Sequence, residues 1–267
     1  MDPDKNVFGD VQFLTGSSQR FAVLSALCAS PARPCELCEQ VDATRTTVQR
    51  ILAGFRERQW VYKRDGEYHP TVTGRRILTQ YRSLLTEADR ARELAPIASY
   101  LNPIADQFPA ALFTESTITR GSEQDPLAAV TRLIDRFRSA EGPVSALSPI
   151  VSQAFNDVGA DLLDSDVEMT LVIDRGVVER SASSFPTALE RGVEDGGIDV
   201  FVHETPLSFG LLLDDVGCCL AVYDDENNLR ATIETADETV CDWAREQFER
   251  RRERAKPLPV LLTNSDD

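Results

Sequence analysis

Thr44-Arg45-Thr46-Thr47-Val48-Gln49-Arg50-Ile51-Leu52-Ala53-Gly54-Phe55-Arg56-Glu57-Arg58 carries two faces in one segment. Val48, Ile51, Leu52 and Phe55 recur at i, i+3, i+4 and i+7, which aligns them as one buried stripe of an α-helix. At about 100° per residue, Thr46, Gln49, Arg50 and Ala53 fall on the opposite side. Asp42 and Thr44 are turn and cap candidates ahead of this helix.

The surrounding segments complete a motif. Upstream, Ser17 or Ser18 opens a helix whose apolar side is Phe21, Leu24, Ala26, Leu27 and Cys28. Ser30-Pro31-Ala32-Arg33-Pro34 ends it, and Pro34 suits the first turn of a short second helix carrying Leu37, Cys38 and Val41. Residues 1–16 read as a short lead-in. Downstream, Trp60–Arg64 and Glu67–Thr71 read as strands joined by Asp65-Gly66, a strong two-residue hairpin signal. Thr73-Gly74-Arg75 starts a further helix reaching about Leu94. Helix, short helix, longer helix and hairpin, in that order, form a winged helix-turn-helix.

Residues 96–126, with Pro103, Pro109 and Pro126, read as a linker with short helices. Beyond it, helices are expected over Leu127–Ser139, Pro149–Leu163, Val177–Gly192 (broken at Pro186) and Glu238–Lys256. Strands are expected over Val144–Leu147, Val167–Ile173, Ile198–His203, Phe209–Leu213, Val216–Tyr223 and Leu229–Ile233. Strands alternating with helices, then an antiparallel run, point to a mixed α/β domain. The expected organisation is a winged helix-turn-helix over 1–95, a linker over 96–126 and an α/β sensor domain over 127–267.

The net charge of -16 argues against a nucleic-acid partner until its distribution is considered. Residues 1–95 hold 14 basic and 12 acidic groups, against 14 and 32 in residues 96–267. The span 44–82 concentrates Arg45, Arg50, Arg56, Arg58, Lys63, Arg64, Arg75, Arg76 and Arg82 against Glu57, Asp65 and Glu67. A locally basic N-terminal surface on an acidic body is compatible with a polyanion. With 25 Arg and three Lys, the composition resembles that of proteins from halophilic archaea. Dense carboxylates keep such proteins hydrated in strong salt. No apolar run approaches the roughly 20 residues of a membrane span. Met1-Asp2-Pro3-Asp4-Lys5 lacks the apolar stretch of a secretory signal, so a cytoplasmic location is expected.

The outward face of the 44–58 helix holds side chains suited to base edges. Arg pairs with guanine O6/N7 and Gln with adenine N6/N7, while small Thr46 and Ala53 let the backbone approach a groove. Arg45 and Thr47 flank that face within reach of phosphates. Lys63 and Arg64 precede the hairpin tip, where a wing meets backbone or minor groove. Ser17 and Ser18 open a helix, whose free N–H groups attract phosphate. The expected contacts to double-stranded DNA are therefore Ser17, Ser18, Thr44, Arg45, Thr46, Thr47, Gln49, Arg50, Lys63 and Arg64. The alternative is a solvated helix with ordinary surface arginines, and it leaves their clustering on an acidic protein unexplained.

The segments Leu14–Arg20, Thr44–Leu52, Phe55–Val61 and Thr71–Gly74 together resemble the winged-helix transcriptional regulators of halophilic archaea. Those regulators often carry a C-terminal domain of the methanogenesis-regulator (FilR) middle-domain type, distantly similar to the effector domain of TrmB-like regulators. The C-terminal resemblance rests on element order and on Trp243 near the start of the last helix. It implies a homodimeric regulator of transcription without naming its effector. Two-fold half-sites also favour a homodimer, with the helix from Arg75 toward Leu101 as its seam.

Cys35 and Cys38 depart from the resemblance, because charged or apolar residues are expected in the second helix. With Cys28 they raise the alternative of a thiol- or metal-responsive sensor, although a metal site usually needs four ligands. Adjacent Cys218 and Cys219 in an apolar strand read as packing residues on opposite faces. Ser148, Asp174, Arg175, His203 and Glu204 follow strand ends. Ligands bind beyond the carboxyl ends of strands in open α/β sheets, so these five are candidates for a small-molecule effector site. No Gly-x-Ser-x-Gly elbow, Walker A or Gly-x-Gly-x-x-Gly motif occurs, so neither catalysis nor a cofactor is expected.

Overall fold

A computed structural model describes residues 5–114, 116–163, 167–184 and 198–258 of the protein. The chain divides into two compact units, Met1–Asp89 and Arg90–Asp267.

The first unit contains α1 (Lys5–Thr15), α2 (Ser18–Ala29), α3 (Pro34–Gln40), α4 (Arg45–Glu57), β1 (Val61–Arg64) and β2 (Glu67–Pro70), and most of α5 (Val72–Leu94). Its core gathers Leu24, Leu27, Leu37, Val48, Leu52 and Phe55, with Ile51 and Leu78 beside them. The lead-in expected over 1–16 is helical from Lys5; its C-terminal end packs through Phe13 and Leu14, while Val7, Phe8 and Val11 stay exposed. Leu14 is buried, and Phe13 meets Phe55 edge-on at 5.9 Å between ring centroids. The strands pair antiparallel from Val61↔Pro70 to Arg64↔Glu67. Asp65 and Gly66 make the turn at φ 52° and 87°, the left-handed pair that a two-residue hairpin needs.

The second unit is built on one sheet of β3 (Thr117–Arg120), β4 (Val144–Ser148), β5 (Met169–Asp174), β6 (Ile198–His203), β7 (Gly210–Leu213), β8 (Cys218–Tyr223), β9 (Leu229–Thr235) and β10 (Lys256–Pro257). The strand order is β10-β6-β5-β4-β7-β8-β9-β3. β4, β5 and β6 are mutually parallel, and the remaining pairs are antiparallel. Its helices are α6 (Ala98–Leu101), α7 (Ala128–Arg138), α8 (Gln153–Leu163), α9 (Arg175–Ser184) and α10 (Glu238–Arg252). Of the helix expected over 177–192, residues 185–192, with the break at Pro186, lie outside the described residues.

Residues 96–126 are not a linker. Ile97, Leu101, Ile104, Phe108 and Leu112 are buried in the core that also holds Leu220, Ile233 and Phe248. β3 pairs with β9 as the outer strand of the sheet. Apolar residues recur every three or four positions here, so the segment buries a stripe. Pro103 and Pro109 break it into short 3₁₀ turns, and that punctuation reads as flexibility in the sequence.

Cys218 and Cys219 face opposite sides of the sheet and enter different cores, as their alternation requires. One ion pair is sealed beneath α7. Arg136 donates to Asp214 Oδ2 at 2.6 Å and also reaches Oδ1, and both side chains are almost wholly buried. Asp214 further accepts from the backbone N–H groups of Glu141, Val216 and Gly217 at 3.2, 3.0 and 3.1 Å. Burial opposes its ionisation, but Arg136 and the amides of Glu141 and Gly217 together hold the carboxyl below its usual range.

Candidate nucleic-acid interface

Helix α4 separates its two faces as the stripe dictates. Val48, Leu52 and Phe55 are fully buried, while Arg45, Thr46, Gln49 and Arg50 are exposed. Thr44 is the N-cap: its Oγ1 accepts from Thr47 N–H at 3.3 Å and lies 3.0 Å from Thr47 Oγ1. These two hydroxyls therefore fix the first turn from which Arg45 and Thr46 project. Among the described residues neither Arg45 nor Arg50 has a carboxylate partner.

All but one of the basic residues of 44–82 fall into two groups. Arg58 pairs with Asp10 at 2.8 Å, Arg75 donates to Cys28 O at 2.9 Å, and Arg82 donates to Ser25 Oγ at 2.5 Å. These three tie elements of the unit together. Arg45, Arg50, Arg56, Lys63 and Arg76 are exposed without an acidic partner among the described residues. On the hairpin, the Lys63 ammonium lies 5.7 Å from the Tyr68 ring centroid. Among the described residues Arg64 reaches only its neighbour Asp65, at 3.5 Å with both side chains well exposed, and such a pair contributes little.

Ser17 is the N-cap of α2, and its side chain makes no capping bond. Beside it lies a groove of about 410 Å³. It is lined by Ser17, Gln19 and Arg20 from the start of α2 and by Thr47, Arg50 and Ile51 from α4, together with Phe13 of α1. The fold thus brings Ser17, Thr47 and Arg50 together. Lys63 and Arg64 stand outside this lining, as does exposed Ser18. Sequence reasoning does not single out Gln19 and Arg20. Their position directly after the Ser17-Ser18 cap is the signal available there.

Ser148, Asp174, Arg175, His203 and Glu204 gather at the carboxyl ends of the three parallel strands, where Asp174 stands opposite His203. Each already has a neighbour. Buried Asp174 accepts from Val177 N–H at 2.9 Å and Leu207 N–H at 3.2 Å, closing the first turn of α9 and holding the loop after β6. Ser148 donates to Ile150 O at 2.8 Å, and His203 Nδ1 lies 3.1 Å from Thr205 Oγ1. Glu204 accepts from Lys256 at 3.1 Å and Arg175 at 3.5 Å, and the Lys256 bond is the main cause of its lowered pKa.

The cysteine alternative finds no support in the geometry. Cys38 Sγ donates to Pro34 O at 3.0 Å, and burial pushes the Cys28 thiol up, away from reactivity. Among the described residues no three His, Cys, Asp or Glu side chains are grouped to hold a metal ion. Nor is any described helix long and apolar enough to cross a membrane.

Comparison with known proteins divides the chain at the same region. Residues 9–93 match the family model of the HVO_A0261 N-terminal domain. Residues 126–254 match that of the methanogenesis regulatory protein FilR1, middle domain. No curated protein matches the chain. Among solved structures, TrmBL2, described as an archaeal chromatin protein with a novel mode of DNA binding, is 14% identical with a TM-score of 0.43. That likeness covers 96% of this chain and 100% of the other. Phosphatidylserine synthase of Haemophilus influenzae Rd KW20 is 13% identical over 54% of this chain and 39% of the other, with a TM-score of 0.40. HmgR of Pseudomonas aeruginosa is 12% identical over 91% and 97%, with a TM-score of 0.27. With TM-scores this low, none of the three bears on function.

Proposed function

We infer that this chain, which joins a domain of the HVO_A0261 N-terminal family to one of the FilR1 middle-domain family, is a DNA-binding regulator of transcription. One observation carries the reading. α4 buries its apolar stripe completely and leaves Gln49 and Arg50 exposed, with Arg50 free of carboxylates among the described residues. Such a helix reads a major groove with Arg50 and Gln49, while small Thr46 lets it approach the groove and Arg45 and Thr47 reach the phosphates. Ser17 and Ser18 offer a second backbone contact at the start of α2, and Lys63 and Arg64 a third on the wing.

The regulator acts as a homodimer. Residues 82–89 of α5 are all exposed, including Leu84 and Leu85, and a helix solvated all round is marginal by itself. A second copy laid along α5 would cover these leucines and repeat α4 for the other half-site. The α/β unit is the sensor. The polar cluster at the ends of β4, β5 and β6 supports a small effector that exchanges its own groups for the internal bonds of Arg175, His203 and Glu204.

Chromatin immunoprecipitation with sequencing tests the reading. Discrete enrichment at promoters is expected from the wild type and is lost in Arg50→Ala at equal protein level. Uniform or absent enrichment by the wild type would refute it.

A further inference from the structure

We propose that the groove between α2 and α4 seats one backbone phosphate of the DNA on Arg20, and that Phe13 of α1 is the positioning residue that aims Arg20 into it. This rests on the DNA-binding reading. The lining is suited to an anion: it holds Arg20 with the Ser17 and Thr47 hydroxyls, Arg50, assigned above to the bases, adds positive potential, and no carboxylate takes part. Arg20 has donors to spare. One N–H goes to Phe13 O at the end of α1, no acidic side chain pairs with it among the described residues, and a guanidinium carries five N–H groups.

Its direction is set by an aromatic clamp. The Arg20 guanidinium lies 4.2 Å from the Phe13 ring centroid, and Arg58 lies 4.0 Å from the same centroid with its charge met by Asp10. The ring is pinned from α4 as well. A Cβ at Gly54 would come within 2.3 Å of Phe13 Cζ. Helix interiors disfavour glycine, and here the missing side chain is the space the ring occupies. α1 thus extends the DNA-binding surface without touching the groove's phosphate itself.

The probe is a short random-sequence duplex, because a phosphate contact is blind to sequence. Arg20→Ala is expected to weaken binding and to reduce the slope of log Kd against log salt by about 0.9, the loss of one phosphate contact. Arg20→Lys should restore most of the slope. Phe13→Leu should lower it in the wild type and add nothing in the Arg20→Ala background. Gly54→Ala, which leaves Ser17, Arg20, Thr47 and Arg50 unsubstituted and displaces the ring, should act in the same direction, with circular dichroism verifying the fold. An unchanged slope in Arg20→Ala overturns the seat. A Phe13→Leu loss that persists in the Arg20→Ala background overturns the positioning role. Arg20-dependent thermal stabilisation by inorganic phosphate alone, with an unchanged DNA slope, would assign the groove to a free anion. A wild type that binds no duplex would instead remove the DNA-binding reading and this proposal with it.

Discussion

Replacing Asp214 by Asn deprives the buried Arg136 guanidinium of its bidentate counter-charge and leaves it the more distant carboxylate of Glu234, 4.0 Å from Nε and shared with Arg132. The substitution keeps the side chain's shape but removes the charge that two guanidinium N–H groups and three backbone amides converge on. Breaking one partner of a buried pair costs about 3–5 kcal/mol. In a unit of this size, each kcal/mol lowers Tm by roughly 2–4 °C, so a fall of roughly 6–20 °C is expected at pH 7. The pH dependence has a definite sign. The Asp214 carboxyl is held below its ordinary value of 3.8 in the folded state. Its contribution is therefore complete above that pH and is lost as pH falls through the depressed folded value. Wild type and variant should differ fully at pH 7 and converge in acid. Thermal unfolding followed by circular dichroism from neutral to acid pH measures both effects. Replacing Arg136 by Met as well should recover only part of the loss, because the amides of Glu141, Val216 and Gly217 still lack their anionic acceptor. A Tm unchanged at pH 7, or a gap that persists undiminished into acid, would refute the reasoning.

At the DNA surface, Arg50→Ala should cost about 1–3 kcal/mol and relax base preference at one position, whereas Lys63→Ala should weaken all sequences evenly. Selection from randomised duplexes followed by anisotropy titration distinguishes them, and identical behaviour would remove Arg50 from base reading. Thr44→Ala removes the cap of α4 and should lower the stability of the first unit by about 1 kcal/mol, seen as an earlier denaturant midpoint. Substituting both Leu84 and Leu85 by Glu should turn a dimer into a monomer in sedimentation equilibrium, with any loss of helix content confined to the exposed turns of α5. An unchanged mass would place the seam elsewhere. Converting Cys28, Cys35 and Cys38 to Ser together should leave DNA affinity and its response to oxidant unaltered, since partial burial pushes the Cys28 thiol up, Cys38 is bonded to Pro34 O, and exposed Cys35 lies outside the lining of the groove beside α4.

Periodicity and punctuation in the chain already determined the winged helix: Val48 to Phe55 could bury only as a helix, and Asp65-Gly66 could turn only as a tight hairpin, since both signals act over a few residues. The alternation of helices and strands likewise placed the α/β unit, and the adjacent Cys218 and Cys219 had to face opposite ways. Tertiary structure alone decided the rest, because it depends on residues distant in the chain. Residues 96–126 looked like a linker until their apolar positions met the sheet. Arg58, Arg75 and Arg82 resembled their neighbours in charge until Asp10, Cys28 and Ser25 engaged them. Arg20 became part of a groove only because α2 starts beside α4, and Gly54 acquired its reason only when Phe13, some forty residues earlier, packed against it.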